Sequence, residues 1–428
     1  MSNLTLSDSR AISGVDRSTL AARYREVRAQ TERLCAPLVT EDYQVQACNE
    51  TSPPKWHLAH SAWFFETFVL GPLAPGYSPY HPQFGHLFNS YYQAIGSFHA
   101  RNQRHVVARP TVEEVYAYRR QVDECVLELL ASAAEGPYEV VAERVVLGLH
   151  HEQQHQELLL MDIKRNFVAN PLLPAYAPDA PRAVGRAPER SWLSFAEGVQ
   201  EIGFAGDGFC FDNETPRHRV FLEPYRLASR LVTNGEYRAF VEADGYGQAG
   251  LWLSDGWKTV REQGWRSPLY WLEREGDWWE YTLRGLEPLD PDSPVCHLSY
   301  YEADAFARWA GARLPTEAEL EVAGAGRPVE GSFVESGHFH PRPARDEEDG
   351  QWFGELWQWT ASAYSAYPGF RPLPGALGEY NGKFMANQYV LRGGSCATPR
   401  SHMRPTYRNF FYPQDRWPFT GIRLATEG

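Results

Sequence analysis

At 428 residues the chain exceeds what one small core needs, and two or three domains is the natural expectation. A formal charge of -13 at pH 7 argues against nucleic acid or an anionic membrane as the main partner, since both select basic surfaces. Hydrophobic residues make up 43% and aromatic residues 14%, enough for large globular cores, yet no apolar run approaches the ~20 residues of a bilayer span. Met1 to Asp16 is polar and lacks the basic start, apolar stretch and cleavage site of a signal peptide, so a cytoplasmic location is expected. Cys35, Cys48, Cys125, Cys210, Cys296 and Cys396 lie far apart with no Cys-x-x-Cys pair, which suits reduced, mostly buried thiols.

In chain order, Leu20, Tyr24, Val27 and Leu34 form one apolar stripe, predicting an amphipathic helix from Ser18 to about Leu34 that Pro37 ends. In Thr51-Ser52-Pro53-Pro54-Lys55-Trp56-His57-Leu58-Ala59-His60, Ser52 is the expected cap and Pro53 the first-turn residue of a second helix reaching about Leu70. Trp56, His60 and Phe64 share a face of it, so His60 points inward among aromatics. From Pro72 to Pro110 runs a long irregular connection, the kind of loop that more often binds than spaces. Thr111 and Glu114 make a capping box for a third helix through about Ala134. A fourth is expected from about Tyr138 to Asn166, and four such helices fold most simply as a bundle. Asn170 to Arg190 is rich in Pro and Ala without periodicity and reads as an extended linker. After Trp192 the pattern changes to strands at Arg219 to Leu222 and Tyr225 to Ser229 and two short helices, Asn234 to Ala243 and Tyr301 to Ala310, the second closed by Gly311. The fold class is therefore α+β and multidomain, with the first domain at 15–169, the linker at 170–191 and the second domain at 192–428.

The fourth helix carries Leu149-His150-His151-Glu152-Gln153-Gln154-His155-Gln156-Glu157, in which His151 and His155 lie one helical turn apart on one face. Three readings stand. His151-Glu152-Gln153-Gln154-His155 fits the His-Glu-x-x-His pattern of a zinc hydrolase with Glu152 as general base. With His60 from the second helix, the pair makes a three-histidine site for a redox metal. The third reading is a polar helix face of ordinary hydrogen-bonded histidines.

Several phrases in the second half occur in a recognisable order: Asp212-Asn213-Glu214-Thr215-Pro216, Leu231-Val232-Thr233-Asn234-Gly235-Glu236-Tyr237, Arg313-Leu314-Pro315-Thr316-Glu317-Ala318-Glu319, Gly354-Glu355-Leu356-Trp357-Gln358-Trp359-Thr360, Leu391-Arg392-Gly393-Gly394-Ser395 and Gly421-Ile422-Arg423-Leu424-Ala425. Together they resemble the formylglycine-generating, sulfatase-modifying domain, a C-type-lectin-like fold, and the first half resembles the DinB-like four-helix bundle. That order is similar to the ergothioneine-biosynthesis sulfoxide synthases, non-haem iron enzymes, over roughly residues 15 to 428. The resemblance implies Fe(2+) held by His60, His151 and His155. It also implies joining of the sulfur of cysteine or γ-glutamylcysteine to C2 of the hercynine imidazole with O2, giving a sulfoxide. His57 stands where the family often has Asp and lies outside the ligand position.

Three neutral histidines leave up to three positions of a six-coordinate iron for substrates. By resemblance Gln154 holds the hercynine imidazole, and Asn409, Phe410 and Phe411 contact hercynine, whose quaternary ammonium suits aromatic faces. Arg101 and Arg104 match arginines used for the thiol substrate's carboxylate, which a guanidinium fork grips bidentately. The catalytic tyrosine of well-known members aligns with Leu377, and Tyr91-Tyr92 is the replacement expected to supply a phenol proton near the iron and favour C-S bonding over thiol dioxygenation. A plain packing pair is the alternative. Formylglycine generation would require a cysteine pair, and Cys396 has no evident partner in the sequence. The departure at the tyrosine loop favours free cysteine as the thiol.

Overall fold

The computed structural model describes residues 16–345 and 350–428; the polar start read above for Met1 to Val15 lies outside the described residues. Two compact units are present. Among the described residues the first comprises 16–45, 52–155 and 204–211; the second comprises 46–51, 156–203, 212–345 and 350–428.

The first unit is helical. α1 (Arg17–Cys35) starts under the Asp16 side chain, which accepts from the Thr19 amide. α2 (Pro54–Phe65) continues through a π-helical turn, Glu66–Leu70, into the single turn α3 (Gly71–Leu73). The single turn α4 (Phe84–Leu87) and a 3-10 turn, Arg101–Val106, punctuate the long connection before α5 (Val112–Ser132) and α6 (Glu135–Phe167). The capping box expected at Thr111 and Glu114 is formed in both directions. The expected cap of α2 is corrected: Pro53 occupies that position, and the Ser52 hydroxyl instead accepts from Arg104 Nη1 at 2.7 Å.

All twelve residues of α2 are buried, including the polar Lys55, His57, His60 and Ser61. Its neighbours come close enough to need a glycine. A Cβ on Gly148 of α6 would stand 2.5 Å from Cε1 of Phe65, so the residue that weakens the helix by propensity is the one the packing requires. Several polar groups of this core form a connected network. Glu152 accepts from Arg28 at 2.7 Å, Thr31 at 2.7 Å and Arg119 at 3.0 Å, while Asp123 accepts from Tyr24 and Arg28. Buried charges persist when paired and hydrogen-bonded in this way.

The second unit mixes strands and helices. Its sheets are β1 (Trp192–Phe195), β4 (Tyr225–Ala228) and β12 (Ala425–Glu427) in the order β1-β4-β12; the hairpin β2 (Gly198–Ile202) with β3 (His218–Leu222); the meander β5 (Trp271–Arg274), β6 (Asp277–Thr282) and β7 (Gly285–Pro288); and a four-stranded sheet ordered β10-β9-β8-β11. In the last, β8 (Trp357–Ala363) pairs antiparallel with β9 (Tyr389–Arg392) and parallel with β11 (Thr420–Gly421), and β10 (Asn409–Phe411) forms the far edge. Among the described residues the expectation of two short helices is corrected to four: α7 (Asn234–Glu242), α8 (Ser254–Gln263), α9 (Tyr300–Trp309) and α10 (Glu317–Gly324). Among the described residues no helix is long and apolar enough to cross a membrane.

Candidate metal centre

His60 on α2 and His151 and His155 on α6 each offer a ring nitrogen, and these atoms all lie within 4.8 Å of one another. The spacing along α6 stacks two imidazoles on one face, and α2 supplies the third. His60 is 1% exposed and lies between two indoles, stacked on Trp56 at 4.4 Å and on Trp63 at 5.2 Å between ring centroids. Its Nδ1 donates to the Phe88 carbonyl at 2.6 Å, which fixes the tautomer and leaves the lone pair on Nε2. That Nε2 lies 3.2 Å from Nε2 of His151, whose ring stacks on Phe64 at 4.1 Å. Burial, reinforced by the neighbouring imidazoles, holds all three histidines well below the usual histidine range. They are therefore neutral near pH 7, as metal ligation requires. Three neutral imidazoles converging from two helices fit a divalent transition metal.

Glu152 does not join them. Both its carboxylate oxygens are taken by Arg28, Thr31 and Arg119. Burial works to raise its carboxyl, and the two guanidiniums outweigh that and hold it below the usual carboxylate range. A carboxylate fully buried and triply hydrogen-bonded is not available to take a proton from water, which removes the physical basis of the zinc-hydrolase reading.

The other expected residues are placed as follows. Tyr91 and Tyr92 stack on each other at 4.6 Å. Tyr92 is fully buried, its ring 5.7 Å from Trp63 and 6.5 Å from Phe64, the rings that stack on His60 and His151. Arg104 is 4% exposed, its guanidinium carbon 3.3 Å from the centroid of Trp56, whereas Arg101 is exposed. Gln154 and His155 are partly exposed neighbours on α6. Asn409, Phe410 and Phe411 belong to the second unit, where all three are half-buried on β10. Phe410 stacks on Tyr364 at 4.1 Å, and Phe411 meets Trp417 edge-on at 5.9 Å. Sequence reasoning set aside one residue that the structure brings in: His57, whose Nδ1 is 3.0 Å from Nδ1 of His155. Its signal was its position three residues before His60 on the same buried helix.

The fold and site define a two-part protein in which a DinB-type helical region carries a histidine cluster and a sulfatase-modifying-factor-like region follows. Residues 23–159 match the DinB superfamily, and residues 180–352 and 349–428 match the sulfatase-modifying factor enzyme 1-like domain. The chain is 32% identical to the hercynine oxygenase of Mycobacterium tuberculosis, over 95% of this chain and 98% of that one. It is 31% identical to the hercynine oxygenase of Mycolicibacterium thermoresistibile, over 87% of each. It is also 29% identical to ergothioneine biosynthesis protein 1 of Schizosaccharomyces pombe, over 57% of this chain and 30% of that one. The chain belongs to the hercynine oxygenase family.

Proposed function

We propose that the protein is an iron(II)- and O2-dependent sulfoxide synthase of ergothioneine biosynthesis, acting on hercynine and a cysteine thiol. The observation that carries this reading is the trio of neutral imidazoles within 4.8 Å of one another, in a family whose members are named for hercynine oxygenation. Iron, when bound by His60, His151 and His155, supplies the activation of O2 and the acidification of the thiol. The overall change balances as thiol S-H plus imidazole C2-H plus O2 giving a C-S bond, one S=O oxygen and one water.

The chain's own residues do the rest. Gln154, next to His155 on α6, orients the hercynine imidazole through an amide that adds no charge. Phe410 and Phe411 offer aromatic faces to the trimethylammonium group, and Asn409 a polar contact. Arg101 and Arg104 receive the thiol substrate's carboxylate. Tyr91 and Tyr92 supply the proton that separates C-S bonding from plain thiol oxidation. Free cysteine is the preferred thiol.

The test is anaerobic loading with iron(II), followed by O2 uptake with hercynine plus cysteine and, side by side, hercynine plus γ-glutamylcysteine. Hercynine-dependent uptake with a sulfoxide product is expected, faster with cysteine. Zinc content with peptide hydrolysis would overturn the reading. Replacing Tyr91 and Tyr92 with Phe is expected to lower the sulfoxide yield and raise cysteine sulfinate; an unchanged ratio removes the tyrosines from the mechanism.

A further inference from the structure

His57 is 2% exposed, on the helix that supplies His60, and touches a histidine of the other helix. At 3.0 Å between the two Nδ1 atoms, one ring donates and the other accepts. The direction follows from chemistry. A neutral His155 presents a lone pair at Nε2 only as the Nδ1-H tautomer, so the shared proton sits on His155 and the acceptor is Nδ1 of His57. Two of the three ligands then share one pattern. His60 donates its Nδ1-H to the Phe88 carbonyl, and His155 donates its Nδ1-H to an imidazole. Trp56 braces both rings of its own helix, edge-on to His57 at 5.6 Å and stacked on His60 at 4.4 Å.

We propose that His57 is a positioning residue of the metal centre, which sets the tautomer and ring orientation of His155 by accepting its Nδ1 proton. Hydrogen-bond partners of metal-ligating histidines are ordinarily carboxylates, backbone carbonyls or waters; here a buried imidazole does that work. The inference rests on the metal-centre reading and not on which substrates the enzyme takes.

The experiment is titration of the full-length protein with Co(II) alone, in competition with a chelator, following the visible absorption of the bound ion. His57→Leu removes the acceptor, and Co(II) affinity is expected to fall roughly 10–100-fold with a changed band pattern. His57→Asn can place Oδ1 where Nδ1 stood and is expected to restore most of the affinity and the wild-type bands. His57→Leu binding as tightly as wild type overturns the inference, as does His57→Asn binding as weakly as His57→Leu. Thermal melts report folding. Should His57→Leu not fold, His57→Asn is compared with His57→Gln, an equally polar amide whose acceptor reaches too far, and equal affinities overturn the inference. Absence of Co(II) binding by the wild type is a separate result that takes down the metal centre itself.

Discussion

The histidine cluster of the first unit and the buried charges of the second use polar groups in opposite ways. In the second unit several buried charges are met by an opposite charge or by complementary hydrogen-bonding groups. Glu157 accepts from Trp357, Ser395 and Thr398. Glu317 accepts from Arg392 and Arg408, and Lys164 donates to Nε2 of His297, whose Nδ1 donates to the Trp417 carbonyl. Such sets stabilise one packing arrangement and ask for nothing further. In the first unit like groups face like groups: three neutral imidazoles aimed at one small volume, held there by stacked indoles and by the Glu152 network behind α6. A fold spends burial on that arrangement when a cation completes it.

The largest test of this contrast removes ligands. His60→Ala, His151→Ala or His155→Ala is expected to abolish stoichiometric iron(II) binding and hercynine-dependent O2 uptake while leaving the far-UV circular dichroism unchanged. Metal binding that survives any one of the three would make that histidine part of the packing instead.

Next is Glu152, which lies beside the ligands in sequence but has the character of the second unit's ions. Glu152→Ala strips buried Arg119 and Arg28 of the carboxylate they share, leaving Arg28 with Asp123, and breaking a buried pair of this kind costs about 3–5 kcal/mol. The expected outcome in chemical denaturation is a loss of that size. Stability unchanged with activity gone would return Glu152 to the role of general base.

How far these roles could be read beforehand depends on how local their cause is. The helix starting at Thr111 follows from a reciprocal cap four residues long, and the pairing of His151 with His155 from the rise of a single helix. The fate of Glu152 was not legible, because its partners lie 33 to 124 residues away on α1 and α5. α8 escaped because only Gly256 and Val260 of its ten residues are buried, too few for a periodic stripe. α10 had its signal in Thr316 and Glu319, a capping box embedded in a phrase recognised for other reasons. The parallel pairing of Thr420 with Trp357 has no local signature at all. His57 was visible as a residue, but its partner is 98 positions further along the chain.

A gentler test lies in the second unit, where Glu280 is 3% exposed, 4.0 Å from Lys164 and 3.7 Å from His340. Burial, partly offset by Lys164, pushes its carboxyl up from 4.5 to about 7. The folded form thus holds a proton that the unfolded chain has released, so this group's contribution is fully present below pH 4.5 and is lost as pH rises through about 7. The difference is worth at most roughly 3 kcal/mol. Subtracting the stability profile of Glu280→Gln from that of wild type is expected to leave a curve falling between those two pH values. A flat difference would mean that Glu280 is ionised throughout.

The smallest expected effect repeats the contrast between two neighbouring arginines. Arg104 is 4% exposed, lies flat on Trp56 and donates to Ser52, so it braces the indole that in turn stacks on His60. Arg101, three residues earlier on the same 3-10 turn, is exposed. If both serve only as anchors for a substrate carboxylate, Arg101→Gln and Arg104→Gln raise the thiol KM alike and leave the melting temperature alone. The geometry predicts a split. Arg101→Gln raises the KM for cysteine with stability within about 0.5 kcal/mol of wild type, as for other exposed substitutions. Arg104→Gln lowers stability as well, because a guanidinium stacked against an indole and hydrogen-bonded in a buried setting contributes about 1–2 kcal/mol. Equal melting temperatures for the two variants would show that burial of Arg104 is incidental, and would move it from the frame of the metal centre to its substrate-binding rim.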